Sequence, residues 1–222
     1  MGIDKETGRL LSRACHDLRT PARAARAHAE LLLKHWGNAP ESEARQRLEF
    51  VVDGARRMTQ LLDALSRYAA ALEMESESFQ PVRMDVLLRG VLARTGKAVQ
   101  ESGAQVTADP LPGVRGDADR LMQVFEELIG NAIAHCGHAP AQIHVSAARD
   151  GAGWMFAVKD DGPCVEAGEL ERVFRPFERL DGSGAGLGLA TCRAIVEGHG
   201  GRIWMESPAT GGCAVYFTIP DR

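Results

Sequence analysis

Two parts of this sequence carry residue types that could transfer a phosphoryl group. Near the amino terminus, positions 16–21 read His-Asp-Leu-Arg-Thr-Pro, so the imidazole of His16 stands beside the carboxylate of Asp17. Asp17 can accept a hydrogen bond from the imidazole Nδ1–H, which fixes the tautomer and makes Nε2 the nucleophile. Phosphoryl transfer needs little more than an in-line nucleophile and charge neutralisation by a metal. A lone histidine on a helix is more often structural, so this interpretation depends on its neighbours.

The second part begins with two polar residues on a predicted helix. Glu127 and Asn131 are four residues apart and therefore share one helix face. The side-chain oxygen of Asn131 suits a magnesium ion that bridges triphosphate oxygens, and Glu127 could hold a metal-bound water or act as a base. A solvated helix face is the alternative interpretation. The rest of the helix favours a concave site, because it is largely apolar, with Leu121, Val124, Phe125, Leu128, Ile129 and Ile133.

Two glycine-containing elements follow. Asp160 ends an apolar strand, where its carboxylate can accept an adenine amino proton, and Gly162 lets the backbone approach the base. An ordinary Asp-Gly turn would be the preferred interpretation if this element stood alone. Three alternating glycines, Gly184, Gly186 and Gly188, then open a helix predicted from Leu187. Backbone N–H groups at a helix start could bind phosphate oxygens, and glycines allow the close approach. The preceding segment 173–179 is not strand-like, which argues against a dinucleotide-binding fold.

Composition places the chain among ordinary soluble globular proteins. It has 222 residues, 45% hydrophobic and 25% charged, with a net charge of −4. Mild acidity without a basic stripe argues against nucleic-acid binding. There is no apolar run of about 18 residues and no signal-like start, so direct membrane insertion is not expected. The five cysteines are scattered, which indicates reduced thiols and predicts a cytoplasmic location.

Residues 1–75 are predicted to form a helical hairpin that breaks at residues 37–40. At ~100° per residue, His16 lies ~200° from Ala14 and so faces solvent. The second arm carries an apolar stripe longer than a lone hairpin can bury, which predicts a homodimer with a four-helix bundle. A hairpin packed on its own second domain is the alternative. The stripe consists of Leu48, Val51, Ala55, Met58, Leu62, Leu65, Ala69 and Leu72.

Residues 76–222 are predicted to form a second domain, with residues 76–82 as a linker. Helices are expected at about 84–102, 118–135 and 187–199, with a short helix at 167–173. Strands are expected at 105–108, 142–148, 154–159, 202–206 and 214–219. Strands and helices mixed without strict βαβ alternation predict an α+β chain whose second domain is a two-layer α/β sandwich.

The order and residues of these four elements resemble the catalytic core of a sensor histidine kinase of two-component signalling. The three later elements and the segment 173–179 are similar to the N, G1, G2 and F boxes of that family. The resemblance spans about residues 10–219, and the segments 127–136 and 186–206 are similar to phytochrome-like kinases. It implies a Bergerat-type α/β sandwich that binds Mg²⁺ and ATP beneath a mobile lid.

The resemblance also implies roles for individual residues. His16 would take the γ-phosphate of ATP and pass it to an aspartate of a response regulator receiver domain. Thr20 matches a position that orients water for dephosphorylating the regulator, although Thr before Pro is an ordinary pairing. Asn131 would ligate magnesium and Asp160 would read adenine. The nucleotide pocket and its lid would use Gly162, Phe174, Phe177, Gly184, Gly186, Leu187 and Gly188, with His135, Arg175 and Arg179 as the nearest cations. An upstream sensor domain is expected on a longer parent or another polypeptide.

Several positions depart from the family pattern. Glu127 stands where Asn is common, Ala134 where a basic residue is common, and Cys164 where a second glycine is expected. Only residues 180–183 separate the F box from the glycines, so the lid is short, and we predict slow turnover or weak ATP affinity. These departures favour one alternative, a degenerate kinase acting as a dimeric regulatory scaffold or phosphatase. An ATPase of the gyrase and chaperone type would use Glu127 but leaves His16 unexplained.

Overall fold

The computed structural model describes residues 5–36, 43–74, 79–136, 140–163, 165–178, 185–207 and 211–221. The chain divides into two compact units, Met1–Glu73 and Met74–Arg222. Among the helices in these ranges, none combines the length and apolarity that crossing a membrane requires.

The first unit is an antiparallel helical hairpin, as predicted. Helix α1 spans Lys5–Trp36 and α2 spans Glu43–Leu72. The predicted break at residues 37–40 lies outside the described residues. The apolar stripe of α2 divides between two environments, because Ala55, Leu62 and Ala69 are buried within the hairpin whereas Val51 and Met58 are 51% and 55% exposed. One hairpin therefore buries only part of its stripe.

The second unit is a mixed sheet with helices, as the α+β prediction requires. Its elements in chain order are β1 (Gln80–Arg83), α3 (Met84–Ser102), β2 (Gln105–Ala108), β3 (Gly113–Gly116), α4 (Ala118–His135), β4 (Gln142–Asp150), β5 (Gly153–Asp160), a short 3₁₀ helix (Arg172–Phe174), α5 (Gly188–Gly198), β6 (Ile203–Glu206) and β7 (Cys213–Pro220). The main sheet has the order β2-β4-β5-β7-β6, in which only β2 and β4 pair in parallel.

The core lies between this sheet and the helices. Side chains alternate across a strand, so every second residue of β5 and β7 points to the same face. On that face Phe156 and Phe217 stack with their ring centroids 5.0 Å apart. Phe125 of α4 meets both rings edge-on, at 6.4 and 5.7 Å, and all three side chains are fully buried. These contacts hold α4 against the centre of the sheet.

Two predicted segments differ from the structure. Residues 80–83, within or beside the predicted linker, form strand β1, which pairs with β3 in a separate two-stranded sheet. Pro81, Gly113 and Gly116 interrupt any alternating pattern in these four-residue strands, so the sequence shows no strand signal. The predicted helix at 167–173 is a series of turns that ends in the 3₁₀ helix. Its adjacent apolar residues Val173 and Phe174 do not form a helical stripe.

Candidate active site

Helix α4 positions the predicted magnesium-binding pair. The helix begins at a cap in which the Asp117 carboxylate accepts hydrogen bonds from the N–H groups of Asp119 (3.0 Å) and Arg120 (3.1 Å). Its apolar face is buried in the core, whereas Glu127 and Asn131 are half-buried one turn apart. A continuous, capped and well-packed helix therefore fixes the spacing of these two side chains.

Helix α5 brings a glycine directly against this pair. A Cβ atom at Gly188 would lie 2.6 Å from Oε2 of Glu127 and 3.8 Å from Nδ2 of Asn131. One turn later, burial raises the pKa of the Cys192 thiol well above its ordinary value, and the nearby Glu127 carboxylate raises it further. The Glu127 carboxylate therefore lies where α4 meets Gly188, the first residue of α5, and we call this place the α4–α5 corner.

A buried histidine ties the two helices together at the opposite end. The backbone N–H of Asp117 donates to Nε2 of His199 at 3.0 Å. Because Nε2 accepts, the proton of the neutral ring is on Nδ1, which lies 2.8 Å from the carbonyl oxygen of Ile195. The ring also stacks on Phe79 with centroids 4.4 Å apart. His199 thus joins the start of α4 to the end of α5 and has a structural role.

Asp160 lies beside the last turn of α4. Its Oδ1 accepts a hydrogen bond from the Gly162 N–H at 2.9 Å. A Cβ at Gly162 would lie 2.8 Å from that oxygen and 3.4 Å from the carbonyl oxygen of His135. Burial raises the pKa of Asp160, the Asp161 charge adds to this, and the Gly162 hydrogen bond and the charge of His135 oppose it. Since α4 carries both Asn131 and His135 in this turn, the structure brings them to the same end of the helix as Asp160.

The turn that carries Asp160 is held from two sides. The Asp161 carboxylate accepts a hydrogen bond from the Gln142 N–H at 2.8 Å, which joins the turn to β4. The Gly212 N–H donates to the carbonyl oxygen of Gly162 at 3.0 Å. Gly212 has φ of 87°, and a Cβ there would lie 2.7 Å from the carbonyl oxygen of Asp160. The sequence reading missed these supporting residues, although the doubled Asp and the doubled Gly were visible signals.

A backbone hydrogen bond joins Phe177 to Gly186, just before α5. The Phe177 N–H donates to the carbonyl oxygen of Gly186 at 2.7 Å, and both residues have left-handed backbones, with φ of 67° and 68°. Phe177 is 55% exposed, whereas Phe174 is buried under the guanidinium of Arg193 at 4.8 Å. The two phenylalanines predicted to anchor the lid therefore differ, since only Phe174 packs into the unit.

Other predicted residues are less informative. Leu187 is buried and its carbonyl oxygen accepts hydrogen bonds from the N–H (2.8 Å) and hydroxyl (2.7 Å) of Thr191, so its side chain belongs to the interior. Arg175, a predicted cation, is exposed. Arg179, Gly184, Cys164 and the short lid at 180–183 lie outside the described residues. Helix α5 begins at Gly188, one residue later than predicted.

The predicted nucleophile stands on the exposed side of α1. His16 and Thr20 are both exposed, whereas Cys15 is 0% and Ala22 is 4% exposed in a cluster with Leu62. The side chain of Asp17 lies outside the described residues. The predicted orientation of His16 is confirmed, because the helix buries the residue before it and presents His16 to solvent.

The donors at the α4–α5 corner suit a hard cation that also binds phosphate. Asn131 and Glu127 offer an amide and a carboxylate oxygen, which are ligand types that Mg²⁺ prefers. Within the described ranges, no group of three or more His, Cys, Asp and Glu could hold a metal ion. Mg²⁺ commonly takes one or two protein oxygens and completes its shell with substrate phosphates and water. These residues therefore fit a magnesium ion that arrives with a nucleotide.

Comparisons with known proteins agree with the division into two units. Residues 6–71 match the family model of the His Kinase A (phospho-acceptor) domain. Residues 116–222 match that of the histidine kinase-, DNA gyrase B- and HSP90-like ATPase. Cyanobacterial phytochrome A of Nostoc sp. is 35% identical over 93% of this chain and 28% of its own length. Sensor protein PfeS of Pseudomonas aeruginosa is 33% identical over 92% of this chain and 45% of its own length.

A solved structure extends the likeness across both units. Full-length ShkA in complex with AMPPNP has a TM-score of 0.76 and 27% identity, and the match covers 98% of this chain and 46% of ShkA. The chain spans less than a third of the length of the first phytochrome relatives. Along the chain, the match to the phospho-acceptor domain comes first and the match to the ATPase domain follows it. The chain belongs to the sensor histidine kinases and corresponds to their catalytic core.

Proposed function

We propose that this chain is an ATP-dependent histidine autokinase that phosphorylates His16. One observation carries the proposal: the second unit gathers Glu127, Asn131 and Gly188 at one corner, in a chain whose first unit presents His16 to solvent. A simple ATPase would have no use for the exposed His16 segment. A histidine kinase uses both the group of residues in the second unit and the exposed His16.

The reaction requires little of the protein beyond positioning. The Nε2 lone pair of His16 forms a bond to the γ-phosphorus as the bond from that phosphorus to the bridging oxygen breaks, and ADP leaves with the electron pair. The ring gains positive charge during the attack. Asp17 would stabilise that charge by holding the Nδ1 proton, and Nδ1 remains unmodified in the product.

The second unit would bind the nucleotide by complementary contacts. Asp160 would accept from the adenine amino group, since the Gly162 N–H occupies only one of its carboxylate oxygens. Backbone N–H groups near Gly186 and Gly188 would face phosphate oxygens at the start of α5. His135 and Arg179 would add positive charge. Asn131 and Glu127 would hold Mg²⁺, which when bound neutralises charge on the phosphates.

Two partners follow from this role. A second copy of the chain would cover the apolar surface left on α2, where Phe50 is 75%, Met58 is 55% and Val51 is 51% exposed. The product would pass its phosphoryl group to an aspartate of a response regulator receiver domain. Thr20, exposed one turn beyond His16, would orient a water that dephosphorylates the regulator by hydrolysis. We infer a cytoplasmic setting, where ATP and reduced thiols are both available.

The test is incubation of the full chain with γ-labelled ATP and Mg²⁺. We expect label that is stable in base and labile in acid, as a phosphorus–nitrogen bond is, and His16→Ala should reduce it to background. His28→Ala is the matched control, because His28 is an exposed histidine on the same helix. Release of labelled phosphate without labelled protein would support a plain ATPase instead, and neither product would support the degenerate scaffold.

A further inference from the structure

An arginine one turn from His16 is held by the opposite helix. Nε of Arg19 lies 2.9 Å from Oδ1 of Asp63, and its Nη2 donates to the hydroxyl of Ser66 at 2.8 Å. The Nε atom is buried, yet its N–H is not aligned on the Asp63 oxygen or on any other acceptor in the described part of the chain. The contact with Asp63 is therefore an ion pair without a hydrogen bond, and one guanidinium donor lacks an acceptor.

Helix geometry places this guanidinium between the buried seam and His16. At about 100° per residue, Arg19 lies about 40° from Cys15, which is fully buried, and about 60° from His16, which is exposed. Long side chains on a helix lean toward its amino terminus, so the Arg19 stem passes the turn that carries His16. Residues three apart are also neighbours on a helix surface. A group attached to His16 would therefore enter the reach of Arg19.

We propose that Arg19 is a shared cation, paired with Asp63 while His16 is unmodified and recruited by the phosphoryl group once His16 is phosphorylated. The inference rests on the proposed phosphorylation of His16. Asp63 thus sets how strongly Arg19 stabilises the phosphohistidine, although it lies 47 residues from His16 in sequence. Arg19 acts as a binding residue for the product and Asp63 acts through it.

The charges favour such an exchange. A phosphoryl group carries up to two negative charges and three acceptor oxygens, and it binds a guanidinium through two parallel hydrogen bonds. The Asp63 carboxylate offers one charge, its side chain is 38% exposed, and it receives no aligned hydrogen bond from Nε. Half-exposed ion pairs of this kind are weak. The phosphoryl group is therefore the stronger competitor, and its capture of Arg19 would loosen the link between α1 and α2 at this turn.

The experiment measures how long label survives on His16. The full chain is phosphorylated with γ-labelled ATP, freed of nucleotide, and followed for loss of label at neutral pH. Four variants are compared with the parent chain: Asp63→Asn, Arg19→Gln, the double variant, and Glu30→Gln. Glu30 is the matched control because it pairs with Arg26 of the same helix at 3.7 Å and does not involve α2. Thermal unfolding of each variant reports any general weakening of the hairpin.

We expect Asp63→Asn to slow the loss of label by about two- to fivefold, because Arg19 no longer has a competing anion. Arg19→Gln should shorten the lifetime, and Asp63→Asn should have no further effect in that background. Glu30→Gln should leave the lifetime unchanged. The inference fails if Asp63→Asn behaves like Glu30→Gln, if it lowers only the melting temperature, or if its effect persists without Arg19.

A second labelling reaction separates this inference from the proposed function. Phosphoramidate phosphorylates imidazole directly, with ammonia as the leaving group, and needs no nucleotide site. His16→Ala serves to subtract label on the other histidines. If ATP leaves no label but the phosphoramidate product shows the Arg19-dependent lifetime, the autokinase proposal fails and this inference stands. If ATP labels His16 and the lifetimes are all equal, only this inference fails.

Discussion

The two units of the chain treat their apolar side chains in opposite ways. In the second unit, Phe125, Phe156 and Phe217 meet at the centre of the core and are fully buried. In the first unit, Phe50 and Met58 are 75% and 55% exposed. Exposed apolar residues at helical spacing are typical of a surface that another helix covers. The second unit buries these rings within its own core, whereas the hairpin leaves part of its stripe exposed.

The two candidate sites also differ in how much of the fold is needed to build them. The proposed nucleotide site combines α4, the end of β5, the start of α5 and the turn before β7, so its geometry depends on the fold of one unit. His16 depends on a single turn of α1, which Cys15 and Arg19 hold against α2. Nucleotide binding should therefore be independent of protein concentration. The orientation and surroundings of His16 should instead depend on the packing of the hairpin. Variants in either unit test this separation.

The largest effect should come from Asn131→Ala. Asn131 would supply an oxygen ligand to Mg²⁺, and loss of such a contact to a charged group removes about 3 kcal/mol, so the affinity for Mg-ATP should fall about 100-fold. Self-association of the chain should not change, because Asn131 lies in the other unit. Titration calorimetry and light scattering measure the two properties. Glu126→Ala is the control, since Glu126 is a half-exposed residue of the same helix whose carboxylate pairs with Arg94 at 3.4 Å. A change in self-association with Asn131→Ala would contradict the separation.

Met58→Lys should have the converse effect. Burying a Met side chain at an interface contributes about 2 kcal/mol, so introducing a charge there should weaken self-association about 30-fold or more. Affinity for Mg-ATP should stay the same. Gln60→Lys adds the same charge at an exposed polar position of the same helix and should have little effect. Sedimentation at several concentrations is the measurement, and equal dissociation constants for the two variants would mean that this surface faces no second copy.

Local patterns in the sequence predicted the elements that are long and self-contained. The bounds of α3 and α4 match the prediction, because capping residues and apolar periodicity act within each helix. Strands β1 and β3 were missed because, among the described strands, each pairs with the other, and their paired residues are 30 to 36 positions apart in sequence. The same holds for the contacts of Asp161 with Gln142 and of Gly212 with Gly162, which depend on the register of the sheet.

The apolar stripe of α2 shows a related limit of prediction from sequence. The sequence identified eight apolar positions at helical spacing, but spacing alone does not distinguish which face one hairpin buries. The structure divides them, with Leu62 at 8% exposure and Met58 at 55%. Among the site residues, the glycines were recognisable as places of close backbone approach. The sequence did not indicate which side chain approaches Gly188, because that contact depends on how α5 crosses α4.

Gly188→Ala should therefore alter the nucleotide site more than the fold. The new Cβ would lie 2.6 Å from Oε2 of Glu127, at the end of a flexible side chain, so the carboxylate moves and the backbone remains. We expect about a tenfold loss in Mg-ATP affinity or labelling rate, with a change in the free energy of unfolding below about 1 kcal/mol. Gly96→Ala is the control, because nothing lies within 4 Å of a Cβ there. It should stabilise α3 by up to about 1 kcal/mol without changing affinity.

The smallest effect should come from Asp160→Asn, and its sign is informative. The folded pKa of Asp160 is raised above the ordinary value of 3.8, so folding favours the protonated form and ionisation destabilises the folded unit. That destabilisation is fully present above the raised pKa and disappears as the pH falls below the ordinary value. Asparagine retains an oxygen that can accept from the Gly162 N–H and carries no charge.

At pH 7 the Asp160→Asn variant should therefore unfold with a slightly higher free energy than the parent chain, by about 0.5 kcal/mol, while it binds ATP more weakly. Urea unfolding measured from pH 7 down to pH 4 should show the difference shrinking. Asp150→Asn, which removes an exposed carboxylate 3.6 Å from Arg202, should give no such gain. A variant that is less stable at pH 7 would mean that the Asp160 charge supports the fold. A gain in stability with a loss of affinity would mean that this half-buried carboxylate is kept for its ligand, a feature with no counterpart in the exposed His16.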